Sequence, residues 1–157
     1  MNAQTSLQFY LVLHIVGFTL MAGIIIADFV IQQRMKKYLI AEKQRAVIML
    51  ETAAGFPLLI GVGAFLLVST GIGMVIIFKG LVFNMLWFRI KIILVILAML
   101  NGSIILKRSA IKLKVLLHEN SVHNDGAILS LKGRMAFFHS IEILLLLIIF
   151  ALSIFKF

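Results

Sequence analysis

The sequence contains no cysteine, a single proline and few acidic residues. The absence of cysteine excludes disulfide bonds, thiolate metal ligands and cysteine nucleophiles. Any bound metal therefore needs His, Met or carboxylate ligands. Only 6 Asp and Glu stand against 15 Lys and Arg, which gives a formal net charge of +9 at pH 7. Because ionisable groups are costly at membrane depth, each one inside an apolar segment is a candidate functional residue.

Apolar residues are abundant. They make up 62% of the 157 residues, and the mean hydropathy is +1.14, which is typical of an integral membrane protein in a lipid bilayer. Four apolar runs, at about 7–31, 52–78, 81–106 and 135–157, each approach the ~20 residues that span a hydrocarbon core. Because they lack the alternation of a barrel strand, they predict helices. We expect one all-α domain over 1–157, a four-transmembrane-helix bundle of up-down-up-down topology.

The basic residues predict the orientation of the bundle. Five lie in the connection after the first run and six in the connection after the third, and these two connections must share one face of the membrane. By the positive-inside rule that face is cytoplasmic, so both termini lie outside, in what we expect to be a prokaryotic cytoplasmic membrane. Nucleic-acid binding is not expected, because these cations occupy short loops and not a soluble basic surface.

Three ionisable residues lie towards the predicted outer face. They are His14 in the first run and Arg89 and Lys91 in the third. A neutral imidazole ligates haem iron, and cationic side chains pair with haem propionates, so this set predicts a cofactor site. The alternatives are structural: Arg89 and Lys91 extend to the membrane surface, and His14 donates to a neighbouring carbonyl.

A second polar group is predicted towards the cytoplasmic face, and it consists of Asp28, Glu51, His139 and Glu142. Three carboxylates and a histidine suit a divalent metal or a proton relay, and a salt-bridge cluster is the structural alternative. His14 and His139 are both candidate metal ligands. One haem held between them is disfavoured, because the rise per residue predicts a vertical offset of roughly 15 to 20 Å. We expect separate sites.

Short segments of the chain resemble the small four-helix membrane proteins grouped as HemJ-type protoporphyrinogen oxidases and CopD-type copper-resistance domains. The resemblance extends over nearly the whole chain. It rests on Leu13-His14-Ile15 with Gly23 in the first run, on residues 87–91 and 92–95 in the third, and on the basic stretch that leads to Glu142.

This resemblance implies a membrane redox protein that binds haem b, with His14 and Lys91 as the residues associated with haem binding and activity. The implied enzyme is an oxidoreductase acting on a tetrapyrrole; no catalytic residue is assigned. The alternative is a CopD-type protein that handles copper or another divalent metal, since the chain has eight Met residues. A third is a structural or assembly subunit. A homo-oligomer or a membrane redox partner is compatible with each of these.

Overall fold

The computed structural model describes residues 2–118 and 125–155, and all the regular elements in this part of the chain are helical. The α-helices are α1 (Ala3–Ala41), α2 (Lys43–Thr52), α3 (Phe56–Ile77), α4 (Leu86–Leu100), α5 (Lys107–His118) and α6 (Asp125–Ile154). Short 3-10 helices at Ala53–Gly55 and Leu81–Asn84 and a π-helical segment at Asn101–Leu106 connect them. A turn that the sequence predicts at 120–126 lies almost wholly outside the described residues.

Four helical stretches are long and apolar enough to cross a membrane, which confirms the predicted all-α four-helix architecture. They are Ala3–Tyr38, Gln44–Ile77, Leu86–Leu113 and Gly126–Ile154. Helices satisfy their own backbone hydrogen bonds, which lipid cannot do, so long apolar runs adopt this structure. The helices also extend well beyond the apolar runs at the end that carries the basic connections. Apolar residues at helical spacing in these connections, such as Ile111, Val115 and Leu116, predict this extension.

The four spans pack in an order that differs from their order in the chain. α1 packs mainly on α3 and also on α6, α6 packs on α4, and α2 meets α5 at the end that carries the basic connections. We call this end the basic end. Its apolar core consists of Met35, Ala46, Leu113, Ile128 and Met135. The basic end therefore has an apolar core of its own, largely beyond the long apolar runs.

α1 and α3 approach closely where two glycines face each other. A Cβ atom added to Gly63 would lie 2.9 Å from the Gly17 carbonyl oxygen, and one added to Gly17 would lie 3.1 Å from the Gly63 oxygen. Small residues at such crossings allow helix backbones to pack in lipid. The sequence predicts packing surfaces at both Gly61 and Gly63, but a Cβ atom on Gly61 would meet nothing within 4 Å. Of Gly61 and Gly63, it is Gly63 that lies at the crossing with Gly17.

Pro57 lies in the first turn of α3. The sequence suggests a bend at this residue, because a proline inside a helix removes one backbone hydrogen bond. At the first helical positions the N–H groups have no intrahelical partner, so proline is tolerated there without distortion. Pro57 therefore lies at the start of α3, where proline is favoured.

The orientation is tested with single cysteines, since the chain has none of its own. We expect Gln44→Cys in α2 and Lys112→Cys in α5, both at exposed positions of the basic end, to react with an impermeant maleimide only after cells are permeabilised. Leu81→Cys, in the exposed turn at the opposite end, is the matched control and should react in intact cells. Labelling of positions 44 and 112 in intact cells would invert the predicted topology.

Candidate functional site

One buried stripe along α6 organises the polar residues of the bundle. Its members recur every three or four residues and are Ile128, Lys132, Met135, His139, Glu142, Leu146 and Ile149. This spacing keeps one face of a helix towards its neighbours. Ser153 continues the stripe towards the C-terminus. Leu146 and Ile149 form an apolar interval, so the stripe separates two polar sites: the His14 site and the His139 network.

The His14 site consists of His14, Thr70, Lys91 and Ser153, one residue from each span. Nδ1 of His14 lies 2.8 Å from the Thr70 hydroxyl, and that hydroxyl is itself 2.5 Å from the Leu66 carbonyl oxygen. A hydroxyl has one proton to donate. When Thr70 donates it to Leu66, its oxygen accepts from His14, which places the imidazole proton on Nδ1 and leaves the lone pair on Nε2.

Lys91 extends from α4 towards the same site. Its ammonium donates a hydrogen bond of 2.8 Å to the Ser153 hydroxyl on α6, and it interacts electrostatically with His14. The charge of Lys91 on α4 thus acts on the imidazole of α1. The sequence predicts His14 and Lys91 as members of one site, and this electrostatic interaction is compatible with that prediction.

Arg89 lies two residues before Lys91 in the sequence, but its side chain is hydrogen bonded to the turn before α4. Its Nε donates a 2.7 Å hydrogen bond to the Phe83 carbonyl oxygen, and this contact is exposed. The guanidinium therefore supports the turn that precedes α4. Ser69, the neighbour of Thr70 in α3, is likewise exposed and donates to the Phe65 carbonyl oxygen. Of these two adjacent hydroxyl residues, Thr70 is the one that bonds to His14.

The His139 network consists of Lys132, Gln32, Asp28, His139, Glu142 and Asn101. Its centre is a pair: Nε2 of His139 lies 2.8 Å from a carboxylate oxygen of Asp28, across the α1–α6 interface. Nδ1 of the same ring lies 3.1 Å from the Met135 carbonyl oxygen. Both ring nitrogens are therefore already hydrogen bonded, and the geometry does not support the predicted role of His139 as a metal ligand.

Glu142 interacts electrostatically with His139 and is hydrogen bonded to the third span. Its Oε2 accepts a hydrogen bond of 2.5 Å from the side-chain amide of Asn101, and the same amide donates to the Phe138 carbonyl oxygen at 3.0 Å. Asn101 is the first residue of the π-helical segment. π-helical turns inside longer helices are frequent at functional sites. Here the turn begins where the network crosses between helices.

Lys132, Gln32 and Asn101 are the members of the network that are absent from the cluster predicted from the sequence. Lys132 belongs to a basic connection by sequence, yet its side chain is only 3% exposed and donates a hydrogen bond to Gln32. The Gln32 amide in turn lies 3.4 Å from Asp28. The spacing of the sequence indicates Lys132 as a member, because it precedes His139 by two helical turns and so shares its face.

Glu51 does not join the others. Its side chain is exposed on α2, and among the described residues no hydrogen bond or ion pair connects it to Asp28, His139 or Glu142. Of the predicted cluster, the structure pairs Asp28 with His139 and places Glu142 within electrostatic reach of His139. Within the described part of the chain, no three His, Asp or Glu side chains are grouped as metal ligands.

The two sites are far apart along the membrane normal. His14 and Asp28 lie about four turns apart on α1, which is a separation of ~21 Å along the axis. Since Asp28 contacts His139 directly, the two histidines do not face one iron atom. This geometry agrees with the expectation of separate sites.

Comparisons with protein-family models, with curated proteins and with solved structures find no match to this chain.

Proposed function

We propose that this chain is a membrane redox protein that binds haem b at the His14 site, similar in kind to the HemJ-type proteins. The observation that carries the proposal is the hydrogen bond between His14 Nδ1 and Thr70. Haem-ligating histidines use one nitrogen for iron and donate from the other to a partner that fixes the ring. His14 has this arrangement, with Nε2 as the ligating atom.

The residues around His14 have separate roles in this proposal. Thr70 fixes the orientation and tautomer of the imidazole through its own bond to the α3 backbone. Lys91 supplies a positive charge that pairs with a propionate, and Ser153 holds the ammonium in position. When bound, haem would supply one-electron redox chemistry. A tetrapyrrole substrate would be recognised by the same cation and apolar surroundings.

The competing functions are distinguished by what the purified protein contains. A copper-handling protein should carry copper without a Soret band, and a structural or assembly subunit should carry neither. No grouping of three His, Asp or Glu ligands among the described residues favours a divalent metal centre. The support for haem is that the hydrogen bond from Nδ1 to Thr70 leaves Nε2 of His14 available as an iron ligand.

The mutational test compares two histidines in one chain. We expect His14→Ala to abolish the Soret band or shift it strongly, because the iron loses its protein ligand. His139→Gln is the comparison: it is expected to lower stability, but the haem that its folded fraction retains should show the wild-type band position, since His139 lies ~21 Å away along the bundle. Full haem loading with an unaltered spectrum in His14→Ala protein would refute the ligand assignment.

Two further variants separate the supporting residues. Lys91→Ala should weaken haem retention and preserve the band position, because a propionate contact lies outside the coordination sphere. Thr70→Val should retain haem with a loss of roughly 10- to 100-fold in affinity, which is typical when the partner of a ligating histidine is removed. A shifted band in Lys91→Ala protein, or undiminished haem affinity in either variant, would contradict this division of roles.

A further inference from the structure

The His139 network is separate from the haem proposal and has a feature of its own. Four ionisable side chains lie within it, and three of them are almost fully buried: Lys132, His139 and Glu142 are 3%, 4% and 6% exposed. Buried charges in a bundle must be balanced by one another, because lipid and apolar side chains do not solvate them. The number of protons in the network is therefore fixed by its charges.

Counting donors and acceptors locates one of these protons. The Met135 carbonyl oxygen only accepts, so Nδ1 of His139 carries a proton. Nε2 lies 2.8 Å from Asp28, and a hydrogen bond of this length needs a second proton, either on Nε2 or on the carboxyl group. The pair therefore holds one proton more than an ionised carboxylate and a neutral imidazole would hold.

Charge balance accounts for that proton. The titratable partner from α1 is Asp28, α6 itself contributes Lys132 and Glu142, and the π-helical segment contributes the uncharged amide of Asn101. With its shared proton the His139–Asp28 pair is neutral. The positive charge of Lys132 and the negative charge of Glu142 then cancel. Loss of the proton would leave one uncompensated negative charge inside the bundle.

We propose that Asp28, His139 and Glu142 form a proton-binding site that holds one exchangeable proton, with Lys132 as its fixed counter-charge. Asp28 is the least buried of the three, with 19% of its side chain exposed. On release, the proton leaves Nε2 of His139 or the Asp28 carboxyl group for water next to the partly exposed Asp28 side chain. Leu146 and Ile149 separate the network from the His14 site, so exchange takes place towards the basic end.

The test is to change the charge of the network and count its protons at neutral pH. Protein in lipid nanodiscs is labelled with 15N-histidine, and His139→Gln identifies the His139 signals. Infrared spectra of the same samples report protonated carboxyl groups. In the wild type, His139 and Asp28 should together hold two protons. Glu142→Gln keeps the acceptor for Asn101 and removes one negative charge, so the pair should lose one of the two protons.

Lys132→Met changes the balance in the opposite direction. It removes the counter-charge, so one additional protonated carboxyl group should appear while the pair retains both protons. Ser140→Ala is the matched control on the same helix, because Ser140 is exposed and donates to the Ala136 carbonyl oxygen of its own helix; the wild-type count should be kept. The proposal is overturned by a wild-type pair with one proton, or by folded Glu142 and Lys132 variants that both keep the wild-type count. These spectra do not involve the Soret band, so this result is independent of haem binding.

Discussion

Asp28→Asn and His139→Gln are each expected to destabilise the protein strongly, and the double variant is expected to cost less than the sum of the two. Removing one partner of a buried ion pair typically costs about 3–5 kcal/mol, because the remaining charge is left without compensation. The double variant removes both groups and so avoids much of that penalty. Contacting residues show coupling of about 0.5–3 kcal/mol in such cycles.

The measurement is the free energy of unfolding of the purified protein in a denaturing detergent, for the wild type, both single variants and the double variant. Ser140→Ala, combined with each single substitution, is the control and should give additive free energies, because Ser140 faces away from the network. Additive costs for Asp28→Asn and His139→Gln would mean that the two side chains do not form the pair described above.

Gly63→Leu is expected to be the most damaging single substitution in α3, whereas Gly61→Leu should be nearly neutral. At Gly63 even a Cβ atom would lie 2.9 Å from the Gly17 carbonyl oxygen and from the Met21 Cβ, so α1 and α3 must move apart. Overpacking of this kind commonly costs about 1–3 kcal/mol, and a whole leucine at a backbone crossing should reach or exceed the upper value. The same side chain at Gly61 meets open space.

The two glycine variants have the same change in composition, so their difference reports position alone. Loss of folded protein in Gly63→Leu, judged by monodispersity and thermal stability, should contrast with wild-type behaviour in Gly61→Leu. Leucine also has a better helix propensity than glycine, which favours the Gly61 variant slightly. Equal stability of the two variants would contradict the crossing of α1 and α3 at Gly63.

The helices and the separation of two polar sites were predictable because both depend on position along a single helix. An apolar run of about 20 residues defines a span, and the rise per residue places His14 and Asp28 at different depths. These predictions need only the period and the length of one helix at a time.

The remaining partners depend on how helices rotate and slide against each other, which hydropathy does not specify. Lys132 lies outside the fourth apolar run, so the sequence places it in a basic connection, although α6 begins at Asp125 and carries it on the buried face. Arg89 was grouped with Lys91 by proximity in sequence, yet it turns back to its own loop. Asn101 meets Glu142 from a neighbouring span, where the helix becomes π-helical.

The central claim is that the His14 site binds haem, and its most direct test is the visible absorption spectrum of the wild-type protein, purified gently in mild detergent and assayed for haem and copper. The proposed function predicts a Soret band, a reduced-minus-oxidised difference spectrum of b type and about one haem per chain. Protein that is folded and monodisperse, but shows no Soret band as purified or after incubation with excess haem, would contradict it.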